Sequence, residues 1–206
     1  MGTESLSAII INCTLKPSPA PSNTEALAGV VAGHLASRGA AVDHVRAVDF
    51  DIRPGVSSDE GDGDQWPEIR RRVVASDILV IATPTWLGQP SSVAKRILER
   101  LNAMMAETDS DERPLAFDKV GGVVVTGNED GAHHIIAVVA QALIDIGFTV
   151  PAQAWTYWHR GPGPGPDYLD DETGHDWSHR TGETAAANMV AVARALKAHP
   201  LPRPAG

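Results

Sequence analysis

Hydroxyl-bearing and basic residues crowd one long loop near the start of the chain. Residues 12–27, NCTLKPSPAPSNTEAL, follow a short apolar run and contain Thr14 and Lys16. Three polar residues stand where the next helix is expected to begin: Ser22, Asn23 and Thr24. A helix N-terminus offers unpaired N–H groups and a positive partial charge, so the pattern indicates a phosphate site. The alternative is that Ser22 or Asn23 only caps the helix.

A second loop, residues 82–92 (ATPTWLGQPSS), combines stiffness with apolar bulk. Pro84 and Pro90 restrict its backbone, and Gly88 permits a close backbone approach to a ligand. Trp86 and Leu87 place apolar side chains at the mouth of a site. A flat, mostly apolar ring system fits such a wall, with backbone N–H groups bonding its edge. The alternative is a rigid loop whose tryptophan packs onto the core.

A third loop, residues 126–134 (TGNEDGAHH), is suited to the other edge of a ring. The candidate contacts in it are Thr126, Gly127, Asn128, Gly131 and His133. Imidazole titrates near neutral pH, so His133 is also a candidate for protonating a substrate, whereas His134 is better explained as a helix-face residue. The three loops are suited to the phosphate, the ring face and the ring edge of a single ligand.

Alternating strand and helix patterns predict how these loops are brought together. Continuous apolar runs at 7–12, 78–83 and 119–126, with weaker ones at 41–48 and 148–156, predict five strands. Amphipathic segments at 23–38, 65–75, 92–106, 132–147 and 181–198 predict helices. Five βα units indicate a doubly wound α/β three-layer sandwich with a parallel sheet of order 2-1-3-4-5, in one domain over residues 1–206. The three loops then meet where the winding reverses, at the carboxyl ends of the strands.

Composition excludes several classes of partner. The net charge of −9 comes from 17 basic and 26 acidic residues without a basic cluster, so nucleic acid is not an expected partner. No apolar run approaches the roughly 18 residues of a membrane span, and the first residues do not resemble a signal peptide. Cys13 is the only cysteine, which excludes an internal disulfide, favours a reducing cytoplasmic location and is expected to fill space in the core.

One compositional break remains, a Gly/Pro-rich stretch at about 158–180 that we interpret as a long surface loop. His175 and His179 in it have metal-capable spacing only if they are helical. A solvated acidic loop is the better interpretation, so no metal site is expected.

Residues 7–157 resemble the NADPH-dependent FMN reductase family of the flavodoxin-like superfamily. The resemblance is strongest at residues 78–101, ILVIATPTWLGQPSSVAKRILERL. This stretch is similar to a segment of the family that consists of an apolar strand, Thr-Pro-x-Tyr/Trp, small residues, Pro and a helix. Thr14 and Lys16 stand near the Ser and basic positions of the family's first loop, and the TGNEDGAHH loop resembles its Thr-Gly loop. The resemblance implies non-covalently bound FMN, with its ring against Pro84, Thr85, Trp86, Leu87 and Gly88.

The resemblance also implies a reaction. NAD(P)H is the expected co-substrate, passing hydride to the flavin, which then passes electrons to a small acceptor such as a quinone or a flavin. No side chain is expected to act as a nucleophile. The resemblance further implies a homodimer or homotetramer. Independently of it, Trp158, Tyr168 and Trp177 of the Gly/Pro-rich stretch are candidates to cover the flavin or a neighbouring subunit.

Three alternatives compete with this interpretation. A flavodoxin-type FMN carrier would transfer electrons without NAD(P)H turnover, its acidic surface docking a redox partner. A receiver-like signalling domain shares the strand order but needs acidic residues after the first and third strands, where this chain has Asn12-Cys13 and Thr83-Pro84. A flavin-free hydrolase would need a Gly-x-Ser-x-Gly elbow, which the sequence lacks.

Overall fold

Six strands build one twisted sheet in the computed structural model, which describes residues 5–203. The strands are β1 (Leu6–Asn12), β2 (Ala40–Arg46), β3 (Ile78–Trp86), β4 (Gln89–Pro90), β5 (Val120–Gly127) and β6 (Trp155–His159). Five of them are parallel in the order β2-β1-β3-β5-β6, and the two-residue β4 pairs with β3 in the antiparallel sense. The predicted doubly wound topology is confirmed, with β4 as an addition to it.

Helices cover both faces of this sheet. They are α1 (Asn23–Ser37), α2 (Trp66–Ala75), α3 (Ser92–Leu101), α4 (Ala132–Ile146) and α5 (His175–Ala198), with short 3₁₀ turns at Ala47–Asp49 and Asn102–Ala106. Alternate residues of β1 show the arrangement. Ile9 and Ile11 belong to the core beneath α2, α3 and α4, whereas Ala8 and Ile10 belong to the core beneath α1 and α5. Burial on both faces explains why the strands are continuous apolar runs rather than alternating ones.

The hairpin formed by β3 and β4 corrects the expectation of an irregular loop at 82–92. β3 continues to Trp86, and Leu87 (φ 52°) and Gly88 (φ 69°) form the two-residue turn. Two successive left-handed residues match the twist of paired antiparallel strands. Pro90 is tolerated in β4 because this strand has two residues and lies at the periphery of the sheet.

The last two elements also differ from their predicted bounds. β6 covers Trp155–His159 instead of 148–156, and Thr149 makes only an isolated bridge with Val120. α5 begins at His175 after left-handed Gly174, so the Gly/Pro-rich loop spans 160–174 and not 158–180. The prediction that His175 and His179 lie in a solvated loop was therefore wrong. Within residues 5–203 no group of three or more His, Cys, Asp or Glu side chains is arranged to hold a metal ion.

A fully buried ion pair fixes the segment between β2 and α2. Arg100 of α3 bonds the Asp64 carboxylate at 2.7 Å and the Arg53 carbonyl oxygen at 2.9 Å. Its guanidinium also lies 5.8 Å from the centre of the Trp66 ring. The pair attaches this long connection to the helix that follows β4, on the face opposite α1.

Candidate functional site

A cleft opens where the sheet reverses its winding, beyond the carboxyl ends of β1, β3 and β5. Its empty space, counted out to the open solvent, is about 550 Å³. The lining residues predicted from the three loops are Thr14, Lys16, Ser22, Asn23, Thr24, Pro84, Thr85, Trp86, Thr126, Gly127 and Asn128. Leu15, Asp167 and Tyr168 complete the lining.

The first wall is the loop that leads into α1. Ser22 is the N-cap, and its Oγ accepts a hydrogen bond of 3.1 Å from the Glu25 N–H. The Thr14 N–H donates to Asn12 Oδ1 at 3.1 Å, which folds the loop back over the end of β1. The cap interpretation is thus correct for Ser22, and it does not use the first two N–H groups of the helix. These groups, with the adjacent hydroxyls, make a donor-rich end of the cleft.

Two cations support this loop in different ways. Lys16 is exposed at the cleft, and within the described part of the chain its ammonium group makes no hydrogen bond or ion pair. Arg46 at the end of β2 is buried and donates to the carbonyl oxygens of Ala20 at 2.8 Å and Lys16 at 3.3 Å. It also pairs with Glu25, so the acidic residue in the first turn of α1 is neutralised. Arg46 was not identified from the sequence, because nothing in the neighbouring sequence distinguishes it from an arginine that simply ends a strand.

Buried hydroxyls form the floor of the cleft. Thr24 Oγ1 and Thr126 Oγ1 are 2.8 Å apart and join the start of α1 to the end of β5. Thr85 is also buried, yet its Oγ1 has no hydrogen-bond partner. Gly127 leaves room beside it, since a Cβ there would lie 2.7 Å from Thr85 Cβ. One buried donor and acceptor in the cleft is therefore unused within the protein.

The hairpin supplies an apolar rim. Trp86 lines the cleft and is 53% exposed, whereas Leu87 at the tip is 91% exposed and lies outside the lining. Gly88 also lies outside it. Its close approach is to Gly131, where an added Cβ would be 2.6 Å from Gly88 Cα, and not to a ligand.

His133 lies away from the cleft as well. Its ring is exposed and packs edge-on against Tyr157 at 5.0 Å and Trp155 at 5.8 Å, both on the edge strand β6. His134 Nε2 is 3.1 Å from Gln89 Oε1. The helical phase of α4 turns His133 toward the edge strand and away from the lining of the cleft. The sequence predicted four residues that the cleft does not include: Leu87, Gly88, Gly131 and His133.

The Gly/Pro-rich loop contributes the wall that sequence analysis anticipated only in part. Tyr168 lines the cleft, and burial raises the pKa of its hydroxyl above the ordinary value. That hydroxyl is 2.7 Å from His179 Nε2, and burial and then the charge of His175 hold the pKa of His179 below its ordinary value. Trp158 is instead buried against Tyr168, and Trp177 packs against Tyr157.

Cys13 does no chemistry in this arrangement. The residue is fully buried, and its Sγ donates to the Ile11 carbonyl oxygen at 3.6 Å. Burial raises the pKa of the thiol far above its ordinary value, so the thiolate is not formed near neutral pH. The expectation of a small apolar filler fits this environment.

Comparison with known proteins identifies relatives along nearly the whole chain. The 8-demethyl-8-aminoriboflavin-5'-phosphate synthase of Streptomyces davaonensis is 35% identical over 207 residues, covering 95% of this chain and 80% of the relative. The solved structure of RosB with its bound intermediate 8-demethyl-8-formylriboflavin-5'-phosphate has a TM-score of 0.88 at 35% identity, covering 96% of this chain and 82% of that one.

A third relative is much longer than this chain. The divalent metal cation transporter MntH of Mycobacterium bovis is 39% identical over 208 residues, which are 98% of this chain but 30% of the relative. Among residues 5–203 of this chain, no helix combines the length and apolar character needed to cross a membrane.

The family profile for NADPH-dependent FMN reductases matches residues 7–162. That range contains the three predicted loops, all of the parallel sheet except Leu6 and most of the cleft lining. The chain therefore belongs to the NADPH-dependent FMN reductase family.

Proposed function

We propose that the cleft binds FMN non-covalently and that the protein passes electrons from NAD(P)H, through the flavin, to a small acceptor such as a quinone or a second flavin. One observation carries the proposal: the start of α1, the unpaired Lys16 ammonium and the half-exposed Trp86 ring converge on a single hydroxyl-floored cleft. The unused Thr85 hydroxyl in the same cleft fits a polar ligand that has donors and acceptors of its own.

Each wall has a distinct role in this proposal. The first N–H groups of α1, the Ser and Thr hydroxyls and Lys16 hold the phosphate group. Pro84, Thr85 and Trp86 lie along the ring, and the loop from Thr126 to Asn128 bonds its edge. Bound FMN supplies the hydride and single-electron chemistry. The protein orients the flavin, shields one side of it and leaves the other open for a nicotinamide and then an acceptor, so ping-pong kinetics are expected.

The test begins with the purified protein. FMN is titrated while its fluorescence is followed, and NADH and NADPH are then added separately without oxygen while the visible absorbance of the flavin is recorded. Bleaching by either nicotinamide, followed by recovery on adding a quinone, supports the proposal. A protein that takes up no FMN contradicts the proposal as a whole. One that takes up FMN but is reduced by neither nicotinamide contradicts the NAD(P)H step and favours a flavodoxin-type carrier or the second candidate below.

A second candidate rests on the synthase relative and on the RosB complex. In this alternative, FMN in the cleft is the substrate and its ring is modified. Mass spectrometry of the flavin separates the two functions after aerobic incubation of FMN with the protein, NAD(P)H and an amino acid as nitrogen donor, dioxygen serving as the oxidant. An unchanged FMN mass after many turnovers of NAD(P)H supports the reductase, whereas a new flavin mass supports ring modification.

We also propose self-association, as a homodimer or homotetramer. The hairpin tip exposes Leu87 almost fully next to Trp86, and soluble proteins rarely leave such apolar groups together without a partner. Sedimentation of the wild type and of Leu87→Asp checks this. A dimer or tetramer that dissociates in the variant is expected, and a monomeric wild type contradicts the proposal.

A further inference from the structure

We infer that Asp167 determines ligand specificity, its carboxylate accepting a hydrogen bond from a hydroxyl of the polyol chain that joins the flavin ring to its phosphate. The inference rests on the proposed function, because it concerns the same cleft. Asp167 belongs to the Gly/Pro-rich loop, outside the three loops that carry the family resemblance.

Asp167 lines the cleft with an acceptor that nothing else uses. The residue is half-buried, and over residues 5–203 its carboxylate has no hydrogen-bond or ion-pair partner. An ionised carboxylate is an acceptor only, and a partly desolvated one is costly unless donors reach it. The start of α1 and Lys16 are donors suited to the phosphate, whereas the polyol chain brings its own hydroxyl donors. Asp167 is the acidic side chain of the lining that can receive them.

The residue after Asp167 is held from several sides. The Tyr168 ring stacks on His175 with centroids 4.0 Å apart and meets the edge of Trp158 at 5.5 Å. Its hydroxyl is 2.7 Å from His179 Nε2, and its carbonyl oxygen is 3.0 Å from His175 Nε2. Tyr168 and the two histidines are thus positioning residues that fix the backbone beside Asp167.

The loop is also fastened to the other walls of the cleft. The Leu169 N–H donates to Asn23 Oδ1 at 3.1 Å, and the Gly165 N–H donates to the Asn128 carbonyl oxygen at 2.8 Å. These bonds lie on both sides of Asp167 and reach the start of α1 and the loop after β5. The backbone at Asp167 is therefore held in a fixed wall of the cleft, while its carboxylate remains available to a ligand.

Charge offers a competing role for the same carboxylate. If Asp167 faced the phosphate, its negative charge would weaken FMN binding, and removing that charge would tighten it. The two roles predict opposite signs for Asp167→Asn, because an amide keeps an acceptor oxygen but loses the charge.

Three flavins dissect the contact: FMN, riboflavin, which lacks the phosphate, and lumiflavin, which has a methyl group in place of the polyol chain. Their dissociation constants are measured by fluorescence for the wild type, Asp167→Ala, Asp167→Asn and the control Asp170→Ala, an exposed residue of the same loop outside the lining. We expect Asp167→Ala to weaken FMN and riboflavin about tenfold and lumiflavin less than about twofold. Asp167→Asn should weaken the first two by about threefold, and Asp170→Ala should change none.

The outcomes distinguish failure of the proposed FMN binding from failure of the proposed Asp167 contact. A wild type that binds none of the flavins overturns the proposed function. A wild type that binds FMN while Asp167→Ala and Asp167→Asn keep its ratio of FMN to lumiflavin affinity overturns only the inference. Tighter FMN binding by Asp167→Asn, with riboflavin unchanged, overturns it too, in favour of repulsion of the phosphate. Tyr168→Phe, which loses the bond to His179, should lower the same ratio by a smaller factor.

Discussion

Replacing Thr85 by valine should stabilise the protein without ligand and weaken its binding of FMN. Thr85 lines the cleft and is buried, and its Oγ1 has no hydrogen-bond partner within the protein. Valine has nearly the same shape and carries no polar group into that place. The substitution should raise stability and lower affinity because the buried hydroxyl has no hydrogen-bond partner without ligand and gains one when FMN is bound.

Both effects have a size that can be measured. An unsatisfied buried hydroxyl lowers the free energy of unfolding by about 1–3 kcal/mol. Removing it should raise that free energy by about 1 kcal/mol and the melting temperature by about 2–4 °C in a chain of this length. A lost hydrogen bond to the ligand is worth about 0.5–1.5 kcal/mol, which corresponds to a dissociation constant roughly twofold to tenfold higher.

Thr83 is the matched control. It lies two residues earlier on β3, and its Oγ1 donates to the Pro84 carbonyl oxygen at 3.0 Å and accepts from the Ser91 N–H at 3.1 Å. Thr83→Val strands that N–H and should lower the free energy of unfolding by about 1–3 kcal/mol in urea titrations. The reasoning is refuted if Thr85→Val melts as early as Thr83→Val and binds FMN as the wild type does.

Three further predictions use the same assays. Gly131→Ala should lower the free energy of unfolding by about 1–3 kcal/mol in urea, since φ is 118° and the new Cβ would meet Gly88 Cα at 2.6 Å; wild-type stability contradicts that contact. Burial alone would raise the pKa of Asp64, but backbone N–H groups and Arg100 lower it overall. Ionised Asp64 therefore stabilises the fold fully above the ordinary carboxyl pKa near 4, and this stabilisation is lost as pH falls through the lower pKa of the folded state. In an acid titration of the free energy of unfolding, Asp64→Asn should start from a lower value near neutral pH and should lack that loss. Ser22→Ala should cost about 1 kcal/mol by losing the cap and should weaken FMN more than riboflavin in fluorescence titrations; equal losses for both argue against a phosphate at the start of α1.

The order of the strands was predictable because buried parallel strands are read as continuous apolar runs. Residues 7–12 and 78–83 carry that signal and match the observed β1 and most of β3. The cleft followed from the topology, since three loops at the reversal point must face one another. Most of the lining in those loops could therefore be named from the sequence.

Residues positioned by distant contacts could not be found in the same way. Leu87 and Gly88 were assigned to the ligand because a Gly in a Pro-bounded loop has the same local signature as a hairpin turn. His133 is placed by its packing against Trp155 and Tyr157 of β6, a contact between distant parts of the chain that the helical pattern of α4 does not reveal. Asp167 reaches the cleft only because Tyr168 is held by side chains of α5, whose start was predicted six residues late.

The alternation along β1 has a consequence for how the molecule comes apart. Ile9 and Ile11 serve one core while Ala8 and Ile10 serve the other, so the same backbone is the common wall of both. Unfolding of the helices on one face should disturb the strands on which the helices of the other face also pack. A single cooperative unfolding transition is therefore expected. Occupancy of the cleft at the end of that wall should then protect slowly exchanging amides in both layers alike.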